Sequence, residues 1–269
     1  MQDIKKYQRF IEMELMPQAL EKLKSFYRAY CDGVDLDIQT KADDSPASRA
    51  DRETEKFLRE KIQEEFPDDG IWGEEFGGYN LDREYIWLLD PLDGTREFLA
   101  KKDHHFGCLI GLAYQGKALL GMIGDPLNGR IWTEKDMPSK GNINLEEAVL
   151  SCTNSQGMFK TQEEQDFITA TMDKVKDTIT GLNCIGFANV IDGSVDIAIE
   201  NDLKLHDIVP LIPPLTKAGA LVTDFSGNNY VEKIFDIDTD SKRKFGVIVT
   251  PYKNLLEDVL SLHKERKAA

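Results

Sequence analysis

The chain has 269 residues and a mass of 30.5 kDa, enough for one large domain or two small ones. Its 41% hydrophobic and 30% charged residues are an ordinary globular balance, and a chain this long buries roughly three quarters of its unfolded surface without needing a disulfide or metal for its core. Against 33 Lys and Arg stand 48 Asp and Glu, a net charge of −15. That argues against a nucleic-acid partner and against an anionic membrane surface, since basic side chains supply most of the affinity for both.

Apolar positions at helical spacing (Ile4, Tyr7, Ile11, Leu15, Leu20, Leu23, Tyr27) predict one long helix over 3–30, adjusted at Pro17. Residues 38–48 are polar and turn-rich. Ser48 and Asp51 have capping-box spacing, and Phe57, Leu58, Ile62 and Phe66 continue a second helix that ends before Pro67. The period then changes. Residues 71–75, 84–90, 106–114, 117–125 and 130–134 read as strands, with a hairpin across Gln115-Gly116. Two helices followed by an antiparallel run of strands is an α+β pattern.

The second half alternates. Helices are predicted at 163–179, 183–193, 206–219 (despite three prolines) and 251–265, and strands at 194–200, 220–225 and 244–250. A boundary near the polar segment 137–144 divides the chain into halves 1–145 and 146–269. Cysteines at 31, 108, 152 and 184 have no C-x-x-C spacing, which excludes zinc ribbons and thioredoxin motifs and suits a reducing cytoplasm. The first sixteen residues lack a signal-peptide apolar region, and stretches such as 108–114 are too short to span a bilayer.

The densest chemistry is at 89–95, Leu-Asp-Pro-Leu-Asp-Gly-Thr. A strand stopping at Asp90 and turning into a helix presents two carboxylates and free N–H groups at one point. Helix N-termini bind phosphate, and paired carboxylates bind a hard divalent cation such as Mg²⁺. A plain Asx-turn also accounts for Asp-Gly. Glu74-Glu75 ends another strand. Asp207 stands before a helix, where it also reads as an N-cap, and Asp51 also reads as the last residue of a capping box. His104, His105 and His206 lack metal-ligand spacing and read as surface or loop residues. No G-x-S-x-G elbow is present.

Together these residues resemble the inositol monophosphatase superfamily of Mg²⁺-dependent, lithium-sensitive phosphomonoesterases. The matching segments are Lys41-Ala42-Asp43 with Ser45-Pro46, Ala50-Asp51, Gly73-Glu74-Glu75, Trp87 to Thr95, and Asp207 with Ala218-Gly219. Segments 45–52, 71–77, 106–112 and 202–213 look most like its histidinol-phosphate phosphatase branch. The resemblance implies a layered α-β-α-β-α sandwich with the site between the halves, and a homodimer. It implies two or three Mg²⁺ per site: one on Glu74, Asp90 and the Leu92 carbonyl, one on Asp90, Asp93 and Asp207, and a weaker one near Glu74. Asp51 and Thr95 would orient the attacking water, and the Gly94 and Thr95 amides would receive the phosphate. Asp93, Asn183, Glu200 and Asp207 would face the substrate. Bound cations would also make an acidic site attractive to phosphate.

Three features depart from the pattern. Ala220 replaces a second glycine after Gly219, Pro210 and Pro214 fall inside a helix, and Asn183 stands where the histidinol-phosphate branch carries Asp. The expected substrate is a small phosphate monoester: histidinol phosphate first, a myo-inositol monophosphate as the alternative, a 3′-phosphoadenosine-type nucleotide behind them. The rival from another class is a non-catalytic metal- or phosphate-binding module.

Overall fold

The computed structural model describes residues 4–41, 45–133, 141–240 and 242–267. Helix α1 (Ile4–Phe10) runs through a π-helical turn (Ile11–Leu15) into α2 (Met16–Cys31). The widened turn falls just ahead of Pro17, which has no N–H to return to the preceding turn, so the ladder loosens there without breaking. Strands β1 (Gln39–Thr40) and β2 (Pro46–Ala47) pair ahead of α3 (Arg49–Glu65).

Strands β3 (Gly70–Gly73), β4 (Gly77–Tyr79) and β5 (Tyr85–Asp93) precede the short helix α4 (Thr95–Leu99). With β6 (Gly107–Tyr114), β7 (Lys117–Asp125) and β8 (Arg130–Trp132) they form a six-stranded sheet in the order β4-β3-β5-β6-β7-β8. The expected hairpin is present, with Gln115 and Gly116 both at positive φ (47° and 77°). The sheet is not wholly antiparallel as the sequence suggested. β3 runs parallel to β5, with Gly73 opposite Leu89, because the unforeseen β4 turns the chain back between them. Glu134, the end of the expected last strand, lies outside the described residues, as does part of the 137–144 segment.

A second, five-stranded sheet forms from strands of the segment β9 (Val149–Ser151), α5 (Gln162–Met172), β10 (Asp177–Ile179), α6 (Cys184–Asp192), β11 (Ile197–Leu203), α7 (Leu205–Ala218), β12 (Leu221–Thr223), α8 (Ile237–Asp240), β13 (Phe245–Thr250) and α9 (Lys253–Lys267). Its strand order is β10-β9-β11-β13-β12. The helix expected over 163–179 stops at Met172. Its tail is an edge strand parallel to β9, where β-branched Thr178 and Ile179 suit extended backbone.

Alternate residues of β5 bury opposite faces, which is why that strand is apolar almost throughout. Trp87 and Leu89 pack with Tyr7, Ile11, Leu20 and Leu58 from the first three helices. Ile86 and Leu88 share a core with Ile185 of α6, Val209 of α7 and Val247 of β13. Beyond the second sheet, Ile197 and Ile248 meet Phe167 of α5 and Leu255 of α9. The layers are therefore helices, sheet, helices, sheet, helices, as the resemblance implies.

Pro210, Pro213 and Pro214 lie inside α7, which still runs unbroken from Leu205 to Ala218, so the expected distortion of its first turns does not break the helix. A Cβ on Gly121 would come 2.0 Å from the Pro210 carbonyl oxygen, and one on Gly111 3.0 Å from the Pro210 ring. Helix and sheet meet backbone to backbone there, which fixes where α7 begins relative to the end of β5.

Candidate active site

Parallel pairing brings the ends of β3 and β5 side by side. The Glu74 N–H donates to the Leu89 carbonyl at 3.1 Å, so Glu74 emerges beside Asp90. The pairing of β5 with β6 shifts register between Asp90 and Asp93, and the strand turns there. Asp90 Oδ1 accepts from the Leu92 N–H at 3.0 Å. The Asx-turn is thus present, but it occupies only one carboxylate oxygen. Gly94 then takes a left-handed conformation (φ 93°) and caps α4, and a Cβ there would sit 2.6 Å from Asn183 Nδ2. Only glycine suits the turn.

Asp51 caps its helix and also reaches Thr95. Oδ2 accepts from the Ser48 N–H (2.7 Å) and hydroxyl (2.6 Å), completing the cap of α3. Oδ1 accepts from the Thr95 hydroxyl at 2.7 Å, across 44 residues. That hydroxyl also lies 3.1 Å from the Leu92 carbonyl.

Asp207 is not an N-cap. Lys204 holds that position, and Asp207 sits three residues into the cap, its Oδ2 accepting from the Lys204 N–H at 2.7 Å. His206 is not a surface residue: it is 4% exposed, and its Nε2 lies 3.5 Å from Asp207 Oδ1. His104 is half exposed, bonded to Asp125, and His105 Nδ1 meets the Gly181 carbonyl.

One cleft of about 180 Å³ collects Glu74, Asp90, Leu92, Asp93, Gly94, Thr95, Asn183 and Asp207. Asp51 is reached through Thr95. Glu200 lies one step deeper, in a recess of about 30 Å³ whose lining shares Asp93, Asn183 and Asp207 with the cleft. It is not at a strand end as the sequence suggested. β11 continues to Leu203 past an irregularity after Glu200. Ala42 and Asp43, part of the matching motif, lie outside the described residues.

The model of the inositol monophosphatase family matches residues 6–267. The chain belongs to this family. Among similar proteins is a chloroplastic bifunctional phosphatase of Arabidopsis thaliana, 32% identical over 223 residues, which cover 78% of this chain but 62% of that protein. A histidinol-phosphatase of Chlorobaculum parvum is 27% identical, with 82% and 88% of the two chains covered. An inositol monophosphatase structure from Zymomonas mobilis superposes with a TM-score of 0.74 at 27% identity, covering 95% and 98%. Proteins of this family are metal-dependent phosphoric monoester hydrolases.

The charges of this family site are unbalanced without a cation. Burial, then the neighbouring carboxylates of Glu74, Asp93 and Asp207, push Asp90 well above the usual carboxylate range. Burial and Asp207 raise Asp93 to about 7. Burial also acts on Glu74, but His206 and Lys41 hold it below the ordinary value. Among the described residues no three His, Cys, Asp or Glu side chains converge as a ready-made metal cage. Mg²⁺ does not require one, because it keeps several waters and completes its shell with substrate phosphate. Hard oxygen donors crowded against one another fit that ion.

Three residues left without a role by sequence reasoning also shape the site. Lys41 Nζ donates to Glu74 (2.9 Å) and Glu75 (2.5 Å). Burial lowers its pKa, but these carboxylates more than offset that and raise it. Glu55, fully buried one turn after Asp51 and paired with Arg59, accepts from the Glu75 and Phe76 N–H groups and so clamps the turn that carries Glu74. The i,i+4 spacing of Asp51 and Glu55 was the available signal. The third is Glu97, to which Asn183 Nδ2 donates at 3.1 Å.

Glu200 carries a pH prediction. Burial raises its carboxyl to about 8, despite the Thr153 N–H that donates to Oε1 at 2.7 Å. A raised acid contributes stability below its unfolded pKa and loses it as pH climbs through the folded one. The metal-free wild type should therefore lose melting temperature relative to Glu200→Gln as pH rises from about 4.5 to 8, with the gap constant above. A pH-independent gap would show that the carboxyl is not held protonated.

Proposed function

We propose that this protein is a Mg²⁺-dependent phosphomonoesterase acting on a small phosphorylated alcohol, with histidinol phosphate as its leading substrate. The observation that carries the reading is the Thr95–Asp51 hydrogen bond on the flank of four acids gathered in one cleft. Glu74, Asp90 and the Leu92 carbonyl would hold one ion, and Asp90, Asp93 and Asp207 a second, with a weaker third near Glu74. Bound Mg²⁺ supplies charge neutralisation for the phosphate and acidifies a water.

The side chains do the rest. Thr95 has one hydroxyl proton. Given to Asp51, it leaves the oxygen's lone pairs to accept from the attacking water, which is thereby oriented and can pass its proton toward the Asp51 carboxylate. The Gly94 and Thr95 amides lie where α4 begins, and N–H groups of a first helical turn have no intrahelical acceptor and remain available to phosphate oxygens. In this reading halves 1–145 and 146–269 form facing walls, with Glu200 and Asp207 on the leaving-group side. A homodimer in the cytoplasm is the arrangement proposed from the resemblance. Among the described residues no helix is long and apolar enough to cross a membrane.

Phosphate release from histidinol phosphate, a myo-inositol monophosphate and a 3′-phosphoadenosine nucleotide, each with and without EDTA, tests the proposal. EDTA-sensitive turnover led by histidinol phosphate is the expected result. A lead for inositol monophosphate would support the second reading, which the neutral Asn183 favours. Absence of release from all three would leave a binding module. Li⁺ should inhibit, as the resemblance implies. Full activity in tens of millimolar Li⁺ would count against the family mechanism.

A further inference from the structure

Asn183 looks like a lost charge, standing where the related branch carries an acid. Its surroundings suggest a charge that has moved. The Asn183 amide nitrogen donates to Glu97 Oε2 at 3.1 Å and to the His105 carbonyl at 2.8 Å, and lies 3.4 Å from the Gly181 carbonyl. Each of these neighbours is an acceptor. An aspartate at 183 would set two acceptor oxygens against them, with a second carboxylate at hydrogen-bond range, and like charges that close repel. Glu97 and an acid at 183 therefore exclude each other, whereas Glu97 and an amide fit.

We propose that Glu97 is a specificity-determining residue of this cleft: it supplies the carboxylate that reads a positively charged amine on the substrate's alcohol portion. The inference rests on the phosphomonoesterase reading and narrows its substrate class to phosphate esters of amino alcohols.

Three observations place Glu97 for this task. It lines the cleft together with Asn183 and Asp93. Its side chain is only 17% exposed, so its field is less screened than that of a surface acid. Its Oε1 has Lys102 no nearer than 3.9 Å, and that lysine is half exposed, so the pair is weak and a substrate ammonium can displace it.

A buried carboxyl lines the adjoining recess, which shares Asn183 and Asp93 with the cleft. Glu200 is 2% exposed, and its Oε2 has no partner among the described residues. A buried polar atom without a partner is costly, so one is expected where a ligand group completes it. The recess it lines, about 30 Å³, exceeds the ~10–15 Å³ a water-sized group needs. Asn183 thus lines the cleft with Glu97 and the recess with Glu200, and an alcohol carrying hydrogen-bonding groups can engage both.

The test compares kcat/KM for histidinol phosphate with that for glycerol 2-phosphate, in wild type, Glu97→Gln and Glu97→Asp. Melting curves of histidinol binding without phosphate provide a readout independent of turnover. Glu97→Gln should lower the histidinol-to-glycerol preference about tenfold, the loss of one close charge contact to an ammonium, and reduce the thermal shift given by histidinol. Glu97→Asp should recover part of both. An unchanged preference with both esters still hydrolysed would overturn the role of Glu97 and leave the phosphatase reading standing. Wild type that releases phosphate from neither ester would overturn both.

Discussion

Asp90→Asn should cut turnover by at least about a hundredfold at any Mg²⁺ concentration and abolish the thermal stabilisation that Mg²⁺ gives the wild type. Asp90 is the one side chain expected to bridge two ions, and it is buried at the junction of Glu74, Asp93 and Asp207. The substitution is benign for the backbone. Asn keeps an oxygen that can accept from the Leu92 N–H, so the turn before Gly94 survives. It also removes one member of a crowded acid cluster, so the metal-free variant should melt no lower than metal-free wild type, and higher near neutral pH. A folding defect would lower both melting curves instead. Turnover within tenfold of wild type at saturating Mg²⁺ would exclude the two-metal arrangement.

What could be read from the sequence was local. Ser48 and Asp51 announced a helix start three residues apart, Gln115-Gly116 a hairpin, and the apolar run into Asp90 a strand, although that strand continues past the expected stop to Asp93. Each signal lies within a few residues, and each element formed. Pairing is different. Nothing near Ile71 states that β3 runs parallel to β5, because the deciding excursion is the Gly77–Tyr79 strand, too short and glycine-rich to show a period. β9 has three residues and β10 another three, below the length at which alternation is visible.

The site divides along the same line. The acids were legible as a set through the family resemblance, Glu74 and Asp90 also by ending predicted strands and Asp207 by standing at a helix start. Their partners were not, since Thr95 meets Asp51 across 44 residues and Asn183 meets Glu97 across 86. His206 was read as a surface or loop residue because it lacks metal-ligand spacing. Its burial follows from the layer above it, where α7 lies against β6 and β7 with Gly121 under Pro210. Glu55 has no role until the fold is known, when the turn packed against it gives the carboxylate its two backbone donors.

Thr95→Ala and Asp51→Asn separate water positioning from helix capping. The Thr95 hydroxyl bonds to Asp51 and the Leu92 carbonyl and takes no part in the Ser48–Asp51 cap, so its loss should leave that cap intact. kcat should fall about a hundredfold with KM little changed, because orientation of the water matters chiefly in the transition state. Asp51→Asn should do more. Its carboxylate serves three donors: the Ser48 N–H, the Ser48 hydroxyl and the Thr95 hydroxyl. An amide offers one accepting oxygen and points a donor at the rest. Either the cap or the Thr95 contact is lost, so about 1 kcal/mol of stability should go together with a kcat loss like that of Thr95→Ala. Because both residues act on one water, the double variant should be hardly slower than the worse single one. Multiplicative losses would mean that they act on different steps. Lower stability with intact turnover in Asp51→Asn would reduce that residue to its cap, and the hydroxyl it holds would no longer mark where the water attacks.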